Sequence, residues 1–390
     1  MDTFTHRLRH RPIKENFSYL KFLKEELCSR RLEYTKKIKT RDWNIEDLDK
    51  VLKSLKPNKS RDPHGFLNEI FKPGVIGFDL KSSIIMLLNR LKQELLIPSF
   101  MEWVDIVAIY KGKGEKSSLE NDRGIFIVNI FRSIMMKLIY SDKYEIIDQN
   151  MSDSNVGARK NKNIRNHLFI LNGIINDVLN SKNKSVDIII VDYKQCFHSM
   201  WLDECANDLF NAGMKDDHLN LLYKANSKNQ VAVKTPFGKT ERKSVEKIVL
   251  QGEVFGPLEC SVSVDSFGKE CLEINKHLYV YKGEVGVPPL AMIDDLVCPA
   301  LCGLDSVLMN SFINAKTNSK KLQFGVKKCH QLHVGRKNPT CPKLQVDNWE
   351  LVKVDESETG LQNLEETLVE THTLEKLDAD KYLWDIISVD

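Results

Sequence analysis

Apolar residues recur with helical spacing through much of the chain, beginning with residues 15–55. Within that segment Asn44 precedes an apolar run and Asp47 follows three positions later, which is the pattern of a capping box at a helix start. The segment KPNKSRDPHG (56–65) breaks the pattern with Pro and Gly and predicts a loop. Further helices are predicted at residues 76–97, 125–149, 163–180 and 200–228, and Gly256-Pro257 is predicted to open another that runs through residue 274.

Short apolar runs predict strands between these helices. Trp103–Tyr110 alternates apolar with polar positions and leads into the basic segment KGKGEKS. Residues 186–192, VDIIIVD, form a nearly continuous apolar run, which is typical of a buried strand. Two further segments predict paired strands, residues 231–242 with a turn at Pro236–Gly238 and residues 288–300. Helices combined with a sheet of short strands indicate an α+β fold.

Composition places the chain among folded intracellular proteins. Of its 390 residues 42% are hydrophobic and 28% are charged, which is ordinary for a globular protein of two or three packed units. No stretch approaches the ~20 apolar residues that cross a bilayer, so no membrane contact is predicted. The first residues lack the apolar core of a secretion signal, and the nine Cys form no CxxC pair, which indicates reduced thiols.

Charge is spread unevenly along the chain. Residues 1–61 hold 17 Lys or Arg against 9 Asp or Glu, whereas residues 346–390 hold 3 against 13. The basic front half is compatible with a polyanionic partner, although charge alone favours a solvated basic face. The acidic end disfavours nucleic acid, so any such contact is expected upstream of residue 346.

Three carboxylates lie within apolar runs. Asp192 ends one run, and Asp294 and Asp295 lie in the middle of residues 288–300. An ionised carboxylate in such a setting is costly unless it is paired, hydrogen-bonded or bound to a metal. A site that joins Asp192 to Asp294 would offer the oxygen ligands that Mg²⁺ prefers. Taken alone, however, the three residues are better explained as caps of strand ends and turns.

The order of several short motifs adds a family resemblance. VDYKQCF (191–197), QGEVFGP (251–257) and AMIDD (291–295) resemble motifs A, B and C of reverse transcriptases. Four more segments resemble parts of the enzymes of non-LTR, LINE-like retrotransposons: residues 59–66, the fingers segment 103–125, the motif D segment 322–335 and the motif E segment 381–388. Each segment is a weak signal by itself, whereas seven in family order are specific.

The resemblance implies an RNA-directed DNA polymerase domain with right-hand architecture. The implied divisions are a helical basic extension (1–55), fingers (56–185), a palm with motifs A to D (186–345), and an acidic segment with a primer-grip-like end (346–390). The thumb is expected to be missing or only begun, as in a truncated or decayed copy. Expected partners are an RNA template, a DNA primer and dNTPs, with no stable protein partner inferred. The family's life cycle implies location in the nucleus and cytoplasm.

The resemblance also implies a catalytic centre that uses two Mg²⁺ or Mn²⁺ ions. It makes Asp192 and Asp294 the metal ligands and gives Asp295 a supporting role. Lys328 occupies the place of the motif D lysine, a candidate acid for the leaving pyrophosphate. An ordinary surface lysine explains Lys328 almost as well.

Further positions are implied to contact substrates. Phe197 stands at the steric gate, where an aromatic ring clashes with a ribose 2′-hydroxyl. The others are implied to hold the triphosphate (Lys111, Lys113, Arg123), to lie beneath the templating base pair (Gln251, Gly252) or to grip the primer (Tyr382, Leu383). Plainer explanations stay open, namely a core phenylalanine, solvated cations and a turn glycine.

Two positions depart from the family pattern. His198 replaces a motif A carboxylate, and Trp384 replaces the glycine of a tight turn in motif E. These departures lower the expected activity, so a catalytically inactive, nucleic-acid-binding relic is the alternative function. A helical interaction protein with an incidental Asp-Asp pair is a third hypothesis, which the ordered motifs disfavour.

A separate group of side chains raises the possibility of a zinc site. Cys298, Cys302, Cys329 and His333 are ligand types that Zn²⁺ takes, but their spacing is loose and two of the Cys flank a predicted strand. Buried free thiols are therefore the expectation.

Overall fold

Five α-helices and one β-hairpin form the described part of the first 180 residues. The computed structural model describes residues 17–112, 114–115, 121–181, 184–194, 196–246, 249–274, 278–335, 342–356 and 362–377. In chain order the first elements are α1 (Phe17–Thr35), α2 (Ile45–Ser54), α3 (Phe78–Glu94), β1 (Trp103–Tyr110), β2 (Asp122–Val128), α4 (Ile130–Asn150) and α5 (Ile164–Leu179). Short 3₁₀ turns at Asn68–Phe71 and Ser99–Glu102 precede α3 and β1.

Strands dominate the second half, with helices between them. The next elements are β3 (Ser185–Val191), α6 (Cys196–Ser199), α7 (Leu202–Asn211), α8 (Asp217–Ser227), β4 (Lys228–Thr235), β5 (Gly238–Lys239), β6 (Lys243–Glu246) and α9 (Gly256–Ile274). The last are β7 (Tyr279–Tyr281), β8 (Val285–Val287), β9 (Leu290–Met292), β10 (Asp295–Leu301), α10 (Leu304–Ser319), β11 (His330–Gly335), β12 (Gln345–Glu356), β13 (Gln362–Thr373) and β14 (Glu375–Leu377). The α+β prediction is confirmed at this level.

The capping box predicted before α2 is present. The Asn44 side chain accepts a hydrogen bond from the Asp47 amide at 3.0 Å, and the Asp47 carboxylate accepts one from the Asn44 amide at 3.1 Å. These bonds satisfy amides that a helix start leaves unpaired. The helix then buries Leu48, Val51 and Leu52 in the main helical core.

A sheet of five strands carries the β1–β2 hairpin. Its order is β2–β1–β4–β5 with β6 also paired to β4, and β1 runs parallel to β4 from Trp103 opposite Gln230. Residues 228–246, from the range predicted as palm, therefore share a sheet with residues 103–128 from the range predicted as fingers. A buried set of Val104, Phe126, Val231 and Leu250 packs on one face.

The central sheet has the order β14–β11–β3–β10–β9, with β3 antiparallel to both of its neighbours. Because side chains alternate along a strand, β3 serves two cores. Ile189 and Val191 pack toward α9 and α10, whereas Val186 and Ile188 pack toward α5. The sheet is thus buried on both faces, which explains the continuous apolar run.

Helix α9 joins the central sheet to the helical body. Leu258 and Val262 belong to the core that α1 to α4 build, whereas Cys260, Val264 and Phe267 belong to the core beneath the sheet. The predicted helix at 256–274 is confirmed, and Pro257 lies in its first turn, where a missing amide costs nothing.

Two helix predictions have wrong boundaries. Residues 125–128 belong to strand β2, and helix α4 begins only at Ile130, where the Asn129 side chain accepts the amides of residues 131 and 132. The predicted helix 200–228 is two helices, because α7 ends at Asn211 and Asp216 caps a new start. Helix α10 and the hairpin β12–β13 were not predicted.

Helix α1, in the described part of the predicted N-terminal extension, packs against helix α7. Lys24 in α1 forms an ion pair with Glu204 in α7 at 2.5 Å, and Arg31 donates to the Asn207 side chain at 2.9 Å.

Of the helices that the structure describes, none is both long and apolar enough to cross a bilayer.

The segment before α5 supports strand β9. Val156 donates to Ala291 and Ala291 donates to Ser154, each at 2.9 Å. At Gly157 an added Cβ would lie 2.2 Å from the Ile293 amide and 2.7 Å from the Ser261 hydroxyl. The turn that carries Asp294 is therefore packed against a backbone that leaves no room for a side chain.

We expect Gly157→Ala to lower the free energy of unfolding by about 1–3 kcal/mol, because the new methyl group overpacks this contact. Gly173→Ala is the matched control, since its Cβ would meet only Tyr281, at 3.8 Å, inside a helix. That variant should gain roughly 0.5–1 kcal/mol. Urea unfolding followed by circular dichroism measures both, and a Gly157→Ala protein as stable as wild type would contradict the packing.

Candidate active site

Two adjacent strands bring Asp192, Asp294 and Asp295 to one end of the central sheet. Asp192 follows the last residue of β3, and Asp295 begins β10, whose next residue, Leu296, lies opposite Val191. Asp294 lies in the two-residue turn between β9 and β10. The other turn residue, Ile293, has φ 60°, a left-handed conformation that β-branched residues rarely adopt.

Lys328 lies directly across from Asp192. Its ammonium nitrogen is 2.9 Å from each Asp192 carboxylate oxygen. The backbone holds the two segments together, because the Gly325 amide donates to the Asp192 carbonyl at 2.8 Å. Lys328 and Asp192, 136 positions apart in the sequence, are therefore brought together.

Like charges accumulate at this end of the sheet. The pKa of Asp294 is raised by desolvation and by the charge of Asp192, while Lys328 opposes the shift. The pKa of Asp295 is raised to about 6, first by desolvation and then by the charges of Asp294 and Asp192. A nearby positive charge would therefore favour the ionised form of these carboxylates.

These residues suit a hard divalent cation by their chemistry. The donors are carboxylate oxygens, which Mg²⁺ and Mn²⁺ prefer, and Lys328 now supplies the cationic partner of Asp192. Among the described residues, Asp192, Asp294 and Asp295 do not form a group whose ligand atoms all lie within 4.8 Å of one another. An ion bound by Asp192 would compete with Lys328 for the carboxylate oxygens.

The segment Gln251–Gly252 is docked on the edge of the β1–β2 hairpin. The Phe126 amide in β2 donates to the Gln251 carbonyl at 2.9 Å. Gly252 has φ +117°, and a Cβ there would lie 2.8 Å from the Phe126 carbonyl oxygen. Both the backbone conformation and the close approach therefore require glycine.

A buried ion pair that the sequence did not reveal anchors the same segment. Arg132 in α4 donates to both carboxylate oxygens of Glu253, at 2.9 and 3.2 Å, and both side chains are inaccessible to solvent. The guanidinium also donates to Asn226 and Asn229, at 2.9 and 2.7 Å. Three other segments of the chain, α4, the end of α8 and the start of β4, therefore hold Glu253 in place through one guanidinium.

Glu259 completes this network as a neutral acid. Its pKa is raised to about 8, first by burial and then by the charge of Glu253, while Arg132 and Asn226 oppose the shift. One guanidinium thus balances one carboxylate, and the second carboxyl group keeps its proton at neutral pH.

Phe197 packs beside the start of α9. It is half-buried, and its ring lies 3.9 Å from the position that a Cβ of Gly256 would take. The neighbouring Cys196 thiol is 3.4 Å from that of Cys260 in α9. The pKa of the Cys260 thiol is raised by its hydrogen bond with the Cys196 thiol, by burial, and also by the charge of Asp294. Phe197 is therefore close to the carboxylate end, although a core role also accounts for its packing.

The predicted triphosphate residues lie on the β1–β2 hairpin. Arg123 is exposed on β2 opposite Ile109, and Lys111 is exposed just after β1. Lys113 lies outside the described residues, as do Tyr382, Leu383 and Trp384. Arg123 is two positions before Ile125, whose side chain would contact a Cβ of Gly252 at 3.4 Å.

A scan against models of known protein families finds no match for this chain.

We expect Glu259→Gln to flatten the pH dependence of stability between pH 5 and 8. A carboxyl group whose folded pKa exceeds its unfolded value loses stability as pH rises through this range, at up to ~1.4 kcal/mol per pH unit. The variant should therefore gain most over wild type near pH 8 and little near pH 5. Urea unfolding at several pH values measures this, with exposed Glu284→Gln as control. Parallel profiles for wild type and Glu259→Gln would refute the neutral acid.

Proposed function

We propose that this chain is an RNA-directed DNA polymerase domain of the non-LTR retrotransposon class. The observation that carries the proposal is the arrival of Asp192 and Asp294–Asp295 at one sheet end, on paired strands, with Lys328 opposite. The docking of Gln251–Gly252 on the β1–β2 hairpin supports it, because α9, which packs in the core of the central sheet, begins just after that segment. The substrates would be an RNA template, a DNA primer and dNTPs.

Asp192 and Asp294 would hold the Mg²⁺ or Mn²⁺ ions, with Asp295 adding charge beside them. Bound there, such ions activate a primer 3′-hydroxyl and stabilise the pyrophosphate that leaves. Lys328 is exposed, with 71% of its side chain accessible to solvent. Released from Asp192, its ammonium group could protonate the departing pyrophosphate.

The β1–β2 hairpin would bind the incoming nucleotide. Arg123 and Lys111 would contact its phosphates, since an Arg fork matches phosphate oxygens. Phe197, beside the start of α9, would press on the sugar and disfavour ribonucleotides. The backbone of Gln251–Gly252 would lie beneath the templating base pair, where a missing side chain permits close approach.

A catalytically inactive domain that binds nucleic acid is the second candidate function. It is favoured by the ion pair of Lys328 with Asp192, which neutralises the carboxylate that the reaction needs. It is also favoured by the separation of Asp192, Asp294 and Asp295, whose ligand atoms do not all lie within 4.8 Å of one another. Both candidates predict binding to nucleic acid that weakens with salt, because phosphate contacts release counterions.

Primer extension on an RNA template with Mg²⁺ or Mn²⁺ separates the two candidates. We expect at most slow extension by wild type, because of the departures at His198 and Trp384. Asp294→Asn should lose at least ~10³-fold in rate, because the variant removes a ligand that positions the reacting groups. Asp79→Asn, an exposed change at the start of α3, should leave the rate unchanged. Wild type that binds the duplex without extending it would support the inactive domain. Extension that survives Asp294→Asn would exclude the proposed mechanism.

A further inference from the structure

A second cluster of metal-ligand side chains lies at the opposite end of the same strands. Asp187 is in β3, His333 in β11, and Cys302 directly follows β10. Asp187 precedes Asp192 by five residues, which is about 16 Å along a strand at ~3.3 Å per residue. The cluster is therefore separate from the proposed polymerase centre.

The register of the three strands places these residues next to one another. His333 and Ala300 are the two cross-strand partners of Asp187, one on each neighbouring strand. Cys302 lies two residues beyond Ala300, and its amide donates to the Ser185 carbonyl at 3.0 Å. Positions two apart share a face of the sheet, so the three side chains face the same side.

The ligand atoms lie close together. One carboxylate oxygen of Asp187, one imidazole nitrogen of His333 and the Cys302 sulfur all lie within 4.8 Å of one another. The His333 Nδ1 to Asp187 Oδ1 distance is 2.9 Å. Two such ligands, each 2.0–2.1 Å from a tetrahedral ion, lie roughly 3.3 Å apart. A small adjustment therefore suffices to enclose an ion.

We propose that Asp187, His333 and Cys302 form a binding site for a zinc-class divalent ion. A thiolate, an imidazole and a carboxylate are the ligand types that Zn²⁺ takes, and a thiolate disfavours Mg²⁺. The Asp187 side chain is inaccessible to solvent, whereas Cys302 is the one cysteine of the described set that is not buried. An ion could enter on the Cys302 side and keep one position for water.

This cluster contains only two of the four residues that the sequence offered as zinc ligands. Cys302 and His333 meet Asp187, which the sequence pattern did not connect with them. Cys298 lies in the core, where burial raises the pKa of its thiol, and the Cys329 thiol donates to the Asp192 carbonyl at 3.4 Å. Neither belongs to the cluster.

Within the described parts of the chain one other group of this kind occurs, Asp216, Asp217 and His218, and its side chains are already engaged in protein contacts. Lys143 forms an ion pair with Asp216, and the Thr40 hydroxyl donates to Asp217 at 2.8 Å. The His218 ring stacks on Trp43 at 5.4 Å between centroids. These contacts make that group part of the helical core.

Cobalt substitution tests the proposal on the full chain, independently of polymerase activity. After chelator treatment, Co²⁺ should bind at one equivalent and give a thiolate-to-cobalt charge-transfer band, which Zn²⁺ removes by competition. Cys302→Ser should abolish the band. His333→Asn and Asp187→Asn should weaken Co²⁺ binding at least about tenfold, the lower limit seen when only a supporting partner is lost.

Cys271→Ala is the matched control, because it removes a cysteine of the buried set outside the cluster and should keep the band. Cys302 is partly exposed, so Cys302→Ser should fold even if the buried Asp187→Asn does not, and circular dichroism checks this. No thiolate band in wild type, or a band that persists in Cys302→Ser, would overturn the proposal.

Discussion

Antiparallel pairing of β3 with β10 is the constraint on which both candidate sites depend. The pairing runs from Val191 opposite Leu296 to Val186 opposite Leu301. It brings Asp192 beside the Asp294–Asp295 turn at one end and Asp187 beside Cys302 at the other. A shift of one residue would turn every side chain of β3 to the other face. Both faces of β3 are apolar, so the hydrophobic pattern alone does not fix this register. Asp187 does oppose a shift, because its buried carboxylate would lose its contact with His333.

The buried ion pair of Arg132 with Glu253 fixes the position of the segment that leads into α9. Removing one partner would leave an uncompensated charge in the core, which typically costs 3–5 kcal/mol. The pair ties the segment after Gly252 to α4, while the backbone of Gln251 is tied to β2. The hairpin that carries Arg123 and the helix that approaches Asp294 are thus parts of one connected structure.

The periodicity of apolar residues predicted helices and strands correctly where the local pattern allowed a single interpretation. The strand at Trp103–Tyr110 and the helix from Gly256 have the predicted bounds, because alternation and a Gly-Pro start are unambiguous. Residues 125–128 were assigned to a helix because four consecutive apolar residues fit either period. The hairpin β12–β13 was hidden by the acidic composition of that segment.

The contacts that organise the sites could not be predicted in the same way. Arg132 and Glu253 are 121 positions apart, and neither stands in a recognisable local pattern. The cluster of Asp187, Cys302 and His333 depends on the register of three strands, which spacing in the sequence does not encode. The three carboxylates could be singled out because charge in an apolar run is a signal, although only the family resemblance gave them a metal-binding role.

The most direct test of the account is Mn²⁺ binding at the carboxylate end, followed by electron paramagnetic resonance of the free ion. Both proteins compared should carry Cys302→Ser, which removes the thiol of the second proposed site. With an RNA–DNA duplex and a dNTP present, we expect the chain with Asp192 and Asp294 intact to bind Mn²⁺. Asp192→Asn with Asp294→Asn should weaken this binding at least about tenfold. Equal Mn²⁺ binding by the two proteins would contradict the assignment of these carboxylates as a metal site.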